Sequence, residues 1–462
     1  MLGRTRSSYG LLLLALCLAS PLRADQEDPA PPETPEAQEA EEAPAGKPRL
    51  DWGLEAKANF RRSEQNRFTV PFTFQPIELP VGQSRGFEET VNPGSHMEVS
   101  DVTLYADARW GDSFRAHLKL DFISLYERNP TSTGTQTNVD EAWVLFGRES
   151  GHALLAPRSG AYVKVGKFAK LERQNDRHLE SYGLVSTAFN RIEDVGVEAG
   201  ADFGSHFYLK GSYTAGNPVF LRDPNALAGD NGQPALLQPN PDPVLKTGID
   251  ILYDARVQDL DTGHPQGGAA VGWRTADQEG RNGVDVMAWA RRRKLARTVE
   301  IQGSFYGGDL DLLNGPFDRF PFPIKNDRKR ETGANLWLYL GGFSLFAQYV
   351  DQDLAGLPRT GIEGEVSWSF DLPLLWSLGE RQLFSSIAPA VRYSKLDNKF
   401  RNPPQTPSPS FGWDWEKIDA GLRIGILGPT DLTLEYADND FILGNGAHRN
   451  NNEYLVTLRW RV

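Results

Sequence analysis

Basic side chains recur along the segment from Lys164 to Arg191, where acids such as Glu172 and Glu180 stand between them. Cations that line a narrow passage attract anions, and Lys or Arg rings are common in anion pores. The candidate residues are Lys164, Lys167, Lys170, Arg173, Arg177 and Arg191, with Arg109, Arg115 and Lys119 upstream. Because the signs are mixed, an anion passage, a general polar passage and a solvated loop of ordinary charge pairs all stay open.

Other kinds of site find little support. The sequence has 1 cysteine, Cys17, so disulfide scaffolds and Cys-ligated zinc are excluded once that residue is removed. The run Gly82-Gln-Ser-Arg-Gly86 has the spacing of a nucleophile elbow but is not followed by a helical pattern. Acid pairs such as Asp309 and Asp311 lack the glycine and terminal glutamate of a calcium loop. We therefore predict no cofactor, no metal and no enzymatic activity.

The N-terminal segments differ in composition from the rest of the chain. Arg4 and Arg6 precede the apolar run 10–19, and a small residue, Ala24, precedes acidic Asp25, which is the order of parts in a signal peptide over 1–24. A lipoprotein signal at Cys17 is the alternative. Residues 25–49 are rich in Pro, Ala and Glu and have no aromatic residue, which predicts a disordered acidic periplasmic tail.

Overall charge and hydropathy exclude two further classes. The formal net charge is -12, which argues against a nucleic-acid partner, since such proteins present a basic face. The mean hydropathy is -0.46, and beyond the first two dozen residues the sequence has no apolar run long enough for a spanning helix.

From Leu50 onward, apolar and polar residues alternate with the period of a β-strand. The apolar side of the first strand runs from Leu50 to Phe60. Two further strands, 102–110 and 114–122, are joined by Gly111-Asp112 and are each about ten residues long, which is enough to cross a bilayer when tilted. Aromatic residues stand at both ends of these apolar faces, as at the two interfaces of a membrane.

Fifteen more strands follow the same pattern. They lie near 138–147, 160–167, 194–203, 206–215, 246–255, 267–275, 283–292, 297–306, 331–340, 343–350, 360–370, 385–395, 416–426, 430–438 and 452–462. Long and short connections alternate, except at 276–282, 351–359 and 371–384. The prediction is an all-β fold: a transmembrane antiparallel β-barrel of 16–18 strands over 50–462, with long extracellular loops and short periplasmic turns.

A polar chain of strands survives in lipid only as a closed cylinder, because each unpaired backbone group costs several kcal/mol. We expect the last strand to close the barrel against the first, and the charged inner faces to line water. Two basic clusters are predicted to lie on opposite sides of the membrane. Arg291–Lys294 falls at a periplasmic turn and Lys325–Arg330 on an outside loop, where lipopolysaccharide phosphates or plain solvent could meet it.

The segments Gly160-Ala-Tyr-Val-Lys-Val-Gly-Lys-Phe168, Leu171-Glu-Arg173 and Ile192-Glu-Asp-Val-Gly-Val-Glu-Ala-Gly200 resemble a strand, constriction loop and strand of the phosphate-selective porin O and P family. Ala169 and Lys170 depart from the prolines usual there. The resemblance implies a sixteen-stranded homotrimer in the bacterial outer membrane of a Gram-negative cell, with the third loop folded into the lumen. It also implies contacts with outer-membrane lipid and lipopolysaccharide, and passage of small hydrophilic or anionic solutes with a preference for phosphate.

Two other classes remain as alternatives. An outer-membrane barrel enzyme would need a nucleophile with its base on the wall or rim. A secreted soluble β-rich carbohydrate-binding protein, such as a propeller, would show an internal repeat of about 40–50 residues, and none is visible in the sequence.

Overall fold

A computed structural model describes most of the chain from Pro48 onward. The described residues are 48–64, 67–70, 86–89, 94–124, 138–149, 160–174, 176–190, 193–216, 219–222, 246–253, 263–277, 281–295, 300–305, 326–373, 377–378, 381–399, 414–442, 446–450 and 452–462. The predicted signal peptide and nearly all of the predicted acidic tail lie outside them, as does Arg191. Within these ranges no helix has the length and apolar character needed to span a membrane.

Sixteen long strands form one sheet. They are β1 Arg49–Ser63, β2 Gly94–Trp110, β3 Phe114–Ser124, β4 Asn138–Gly147, β5 Ala161–Phe168, β6 Asp194–Phe203, β7 Phe207–Thr214, β8 Gln266–Ala276, β9 Asn282–Lys294, β10 Arg328–Leu340, β11 Phe343–Leu354, β12 Leu357–Trp368, β13 Phe384–Asn398, β14 Asp414–Ile426, β15 Thr430–Ile442 and β16 Glu453–Arg461. Two short segments, Phe370–Asp371 and His448–Asn450, extend the same sheet.

Each strand pairs antiparallel with its neighbour in the chain, and the sheet closes on itself. β16 pairs with β1, where Ala56 stands opposite Trp460. Val462 at the C-terminus exchanges two backbone hydrogen bonds with Leu54, at 2.9 and 3.0 Å. The predicted antiparallel barrel and its closure by the last strand are confirmed, and the strand number is the lower end of the predicted range.

Two of the predicted strands do not belong to the barrel, and their assignment to it was wrong. Residues 246–255 and 297–306 do form strands, Lys246–Tyr253 and Glu300–Phe305, but these pair with each other in a separate five-stranded sheet. That sheet also contains Arg67–Val70, Gly86–Glu89 and Val219–Arg222. Alternation identifies a strand but does not indicate which sheet the strand joins, because it reports only which side chains share a face of that strand.

Because Lys246–Tyr253 lies outside the barrel sheet, β8 and β9 run in the opposite directions to those predicted, and their ends lie at the opposite rims. The connection 277–281 joins β8 to β9 at the end of the barrel that carries most of the short turns, which we call the short-turn rim. The opposite end, the long-loop rim, receives the C-terminal end of β9. The basic cluster Arg291–Lys294 therefore lies at the long-loop rim, and its predicted place at a periplasmic turn was wrong.

Tight turns occupy much of the short-turn rim. Gly204 and Gly341 adopt positive φ angles of 64° and 59°, which let the chain reverse between adjacent strands. The alternation of loop lengths is incomplete. Ala355 and Gly356 alone connect β11 to β12 at the long-loop rim, whereas 148–160 and 369–383 are long connections at the short-turn rim.

The two faces of the barrel wall have opposite chemistry. On the outer face large apolar side chains are open, for example Trp52 at 72% and Leu209 at 50% exposure. On the inner face Glu363 and Arg392 are fully buried. At about 25 cal/mol for each Å² of exposed apolar surface, an outer face of this kind is unfavourable in water and favourable in lipid.

Part of the barrel interior is a packed core. The segment 169–190, here called the inner loop, folds inside the barrel and ends in a π-helical turn, Ser186–Asn190. Its Leu184, Val185 and Phe189 pack with inward aromatic residues of the wall. Those wall residues include Tyr208, Trp289, Trp337, Tyr339, Phe346, Trp415 and Phe441. The expectation that all inward side chains line water was therefore wrong for this side of the lumen.

Candidate functional site

Carboxylates of the barrel wall hold the backbone of the inner loop. Glu363 of β12 accepts hydrogen bonds from the amides of Val185 and Ser186, at 2.9 and 3.2 Å, and from the Ser186 hydroxyl at 2.7 Å. Glu435 of β15 accepts the amides of Glu180 and Ser181 at 2.9 and 3.2 Å. An irregular buried segment needs partners for its N–H groups, and these wall acids supply them.

A second set of contacts holds the inner loop with the charges reversed: the acid is on the loop and the cations are on the wall. Glu180 lies 3.2 Å from Arg423 and 4.0 Å from Lys57, and it also pairs with Arg459. Burial by itself would raise the pKa of the Glu180 carboxyl, but Arg459, Lys57 and Arg423 hold that pKa well below its usual range. The Glu180 carboxylate therefore stays charged and keeps its ion pairs with the wall.

Further contacts extend this attachment along the loop. Arg291 of β9 donates to Glu172 at 2.7 Å, and Asn335 of β10 donates to the Glu172 carbonyl at 2.7 Å. Gly421 of β14 leaves room for Leu179, since a Cβ at that position would overlap the leucine side chain. The inner loop is therefore fixed against the wall from β9 to β16 and at Lys57 of β1, which leaves the remaining side of the lumen open.

The open side is a cavity of about 1000 Å³ between the inner loop and a wall made mainly of β1 to β8. Eleven Lys and Arg and nine Asp and Glu side chains line it. A cavity of this volume has room for many water molecules, and charged side chains that line it need such water where they lack a partner. The result is a polar cavity beside a packed loop.

The structure brings most of the sequence-predicted residues together in this cavity. Those that line it are Arg109, Arg115, Lys119, Lys164, Lys170, Arg173 and Arg177. Lys167 does not line it: strand alternation places that residue on the outer face of β5, where its Nζ donates to the Val139 carbonyl at 2.5 Å. Arg191 lies outside the described residues.

The candidate residues differ in the partners that their charged groups contact. Lys170 is buried and donates to the Phe189 carbonyl at 2.7 Å, so its ammonium group supports the loop. Arg173 pairs with Glu193, and Lys119 pairs with Asp140. Arg177 stacks on the Tyr182 ring with its guanidinium carbon 3.6 Å from the centroid. Arg173 and Arg177 are thus the two arginines of the loop that line the cavity.

Cations and aromatic rings alternate along the wall from β3 to β8. In order across the strands they are Arg115, Trp143, Lys164, Tyr162, Lys210, Tyr208 and Arg274, and we call this set the cation–ring band. The distances from each cation to the neighbouring centroid run from 4.9 to 5.9 Å. Such contacts hold a cation in place at about 0.5–1 kcal/mol each where water can reach them.

Acids accompany the band. Lys164 lies 3.2 Å from Glu149 and 3.5 Å from Glu198, and Lys210 lies 3.7 Å from Glu149. Burial would raise the pKa of the Glu149 carboxyl, but Lys210 and Lys164 keep it below the usual value. Arg274 pairs with Asp202 at 2.5 Å. Each cation named here thus has an acid beside it, and such pairs partly cancel each other's charge.

Several site residues were missed in the sequence. Lys210 and Arg274 could have been found, since alternation puts them on the same inner face as Lys164. Glu363 and Glu435 gave no signal of their role, because their partners are loop amides far away in the sequence. Among the described residues one acid group, Asp140, Glu141 and Glu193, is close enough to share an ion, but Lys119 and Arg173 already pair with two of its members.

No protein-family model matches the sequence, and no curated protein matches it either. Among solved structures the chain is similar to the outer membrane channel DcaP of Acinetobacter baumannii, at 8% identity over 91% of this chain and 99% of that chain, with a TM-score of 0.48. It is similar to OprB of Pseudomonas putida, at 9% identity over 90% and 94% of the two chains, with a TM-score of 0.46. For an anion-selective porin from Comamonas acidovorans the identity is 8%, the coverage 90% and 100%, and the TM-score 0.45. What this chain does must therefore be judged from its own residues.

Proposed function

We propose that this chain is an outer-membrane porin that gives small hydrophilic solutes passive diffusion across the membrane, with a preference for anions. The observation that carries the proposal is the open polar cavity beside a firmly anchored loop, inside a closed barrel whose outer face is apolar. A closed barrel of sixteen strands is too wide to be filled by its own side chains, so a loop must narrow it if the passage is to discriminate by size.

The excess of cations in the cavity supports the anion preference. Eleven bases against nine acids line the passage, although the chain as a whole carries a formal net charge of -12. Positive charge is thus concentrated where a solute would pass. Phosphate is one candidate anion, as the resemblance to phosphate-selective porins implies, and the homotrimer stays a prediction from the same resemblance.

A barrel enzyme is the weaker proposal. His117 is the histidine of the cavity wall; in the described part of the chain it bonds to Asp107 at 3.2 Å and stacks on Trp143. Nucleophilic catalysis needs a hydroxyl or thiol within hydrogen-bond reach of such a base. His117 has no such neighbour among the described residues, which favours a passage over a catalytic site.

Insertion into a planar bilayer tests the proposal. We expect the purified protein to give stepwise increases of conductance, and in a salt gradient we expect a reversal potential of the sign for anion preference. No steps at high protein load would contradict the porin function. Steps with cation preference would contradict the anion preference alone.

The double substitution Arg173→Ala with Arg177→Ala should lower the anion-to-cation permeability ratio by about five-fold, since each partly screened charge contributes about 0.5 kcal/mol. The reversal potential measures this ratio. Lys167→Ala is the matched control, because it removes a cation from the same region on the outer face of β5. An unchanged ratio in the double variant would show that the loop cations do not act on passing ions.

A further inference from the structure

The two basic clusters that the sequence separates meet on the outer surface of the barrel. β9 and β10 are antiparallel neighbours at the long-loop rim, with Arg292 opposite Arg330 and Lys294 opposite Arg328. All four side chains are exposed, whereas their chain neighbours Arg291, Arg293 and Lys329 point inward and are buried. The result is a block of four outward-facing cations, here called the outer basic block.

Like charges placed directly opposite each other across two strands repel and destabilise the pairing. Lys294 lies 3.8 Å from Asp327, an exposed contact that screens it only partly. Asp353 stands opposite Arg330 across the next strand pair, but its carboxylate accepts the amide of Gly356 at 2.8 Å. In the described part of the chain, Arg292 and Arg330 have no carboxylate within salt-bridge distance. An external anion would relieve their repulsion.

The outward side chains immediately toward the short-turn rim on β8 to β10 are small. The next rows of outward residues on β9 and β10 contain Ala290 opposite Thr332 and Ala288 opposite Ala334. On β8, Gly267 stands opposite Arg292, with open space where a Cβ would lie. Small side chains below a block of cations form a shallow trough into which extended hydrocarbon chains can lie.

We propose that the outer basic block and the trough below it form a binding site for a phosphorylated glycolipid of the outer leaflet, namely the lipid A part of lipopolysaccharide. Arg292 and Arg330 hold a headgroup phosphate, Lys294 and Arg328 add charge beside it, and the acyl chains lie along the Ala-rich trough. Cations attract anionic headgroups at the membrane boundary, and buried methylene groups add affinity. The site rests on the proposed membrane location of the barrel but not on what passes through it.

The test is a titration of the delipidated, detergent-solubilised protein with bisphosphorylated lipid A, with bound copies counted by native mass spectrometry. The variant Arg292→Ser with Arg330→Ser should bind lipid A about thirty-fold more weakly, as expected for two basic residues at an anionic headgroup. Arg292→Lys with Arg330→Lys should retain most of the binding. Lipid A stripped of both phosphates should bind the wild type as weakly as the serine variant binds intact lipid.

The matched control is Arg62→Ser with Lys395→Ser, which removes two outward-facing cations from the same rim at separate places; Lys395 already pairs with Glu416 at 2.9 Å. It should bind lipid A like the wild type. Equal binding by the Arg292 and Arg330 serine variant, or an equal loss in the control, would overturn the proposal. So would displacement of bound lipid by millimolar inorganic phosphate, which would indicate a free-anion site, or protection of the block by a second copy of the chain. Conductance steps, measured on the same samples, report the porin function separately.

Discussion

Replacing Arg392 by methionine should destabilise the barrel by about 3 kcal/mol, the low end of the range for breaking a buried ion pair. Arg392 is fully buried and donates to Asp419 at 3.0 and 2.8 Å and to Glu365 at 3.4 Å. Without it, Glu365 loses the cation beside it. The loss stays at the low end because Lys417 still pairs with Asp419 at 2.8 Å.

The free energy of unfolding in urea, followed by tryptophan fluorescence in lipid vesicles, measures this effect. Arg115→Met is the matched control, since Arg115 also pairs with an acid, Asp107, at 2.9 Å, but its side chain is 42% exposed. Exposed pairs contribute about 0–1 kcal/mol, so this variant should unfold almost like the wild type. Equal losses in the two variants would mean that Glu365 and Asp419 are solvated rather than buried.

Gly183→Ala should release the inner loop and raise single-channel conductance, because loop and wall meet closely at this position. A Cβ on residue 183 would overlap the Glu363 carboxylate. That carboxylate cannot move aside cheaply, since it accepts hydrogen bonds from Val185 and Ser186, at 2.9 and 3.2 Å from the amides. Losing these bonds to a buried charged group costs about 1.5–3 kcal/mol each.

Single-channel recording gives the readout. We expect larger steps and more current noise in Gly183→Ala, because a detached loop widens the passage and fluctuates within it. Gly364→Ala is the control: Gly364 lies on β12 near Glu363, but a Cβ there meets only the Phe346 carbonyl oxygen at an ordinary 3.6 Å. Steps of wild-type size and noise in Gly183→Ala would contradict the anchoring role of Glu363.

The barrel was predictable because lipid imposes a strict rule on each strand. Side chains such as Trp52 and Phe60 must face lipid, and Glu55 and Lys57 must not. Apolar and polar residues therefore alternate along the strand with a period of two. The same rule located Lys164, Arg115 and Arg109 on the inner face. It failed at 246–255 and 297–306, where strands of similar rhythm pair with each other outside the barrel sheet.

The resemblance implied that the third loop folds into the lumen, but the contacts that hold the inner loop could not be read from alternation. Its attachment depends on single contacts between distant residues, such as Ser181 with Arg392 at 2.7 Å and Tyr182 with Lys417 at 2.8 Å. No periodicity marks those residues. The inward aromatic residues Trp289 and Trp337 gave a partial signal. Large apolar rings are unfavourable in a water-filled lumen, so their presence on the inner face indicates a packed partner inside the barrel.

The most direct test of the account is thiol accessibility at adjacent positions of two strands, β5 and β7. Single cysteines at Lys164 and Val165, and at Lys210 and Leu209, are introduced into a chain without Cys17 and treated with a charged, membrane-impermeant thiol reagent during channel recording. We predict that modification reduces the current in Lys164→Cys and Lys210→Cys and leaves it unchanged in Val165→Cys and Leu209→Cys. Equal reaction at neighbouring positions, or a current that no modification alters, would contradict a barrel whose inner face lines the passage.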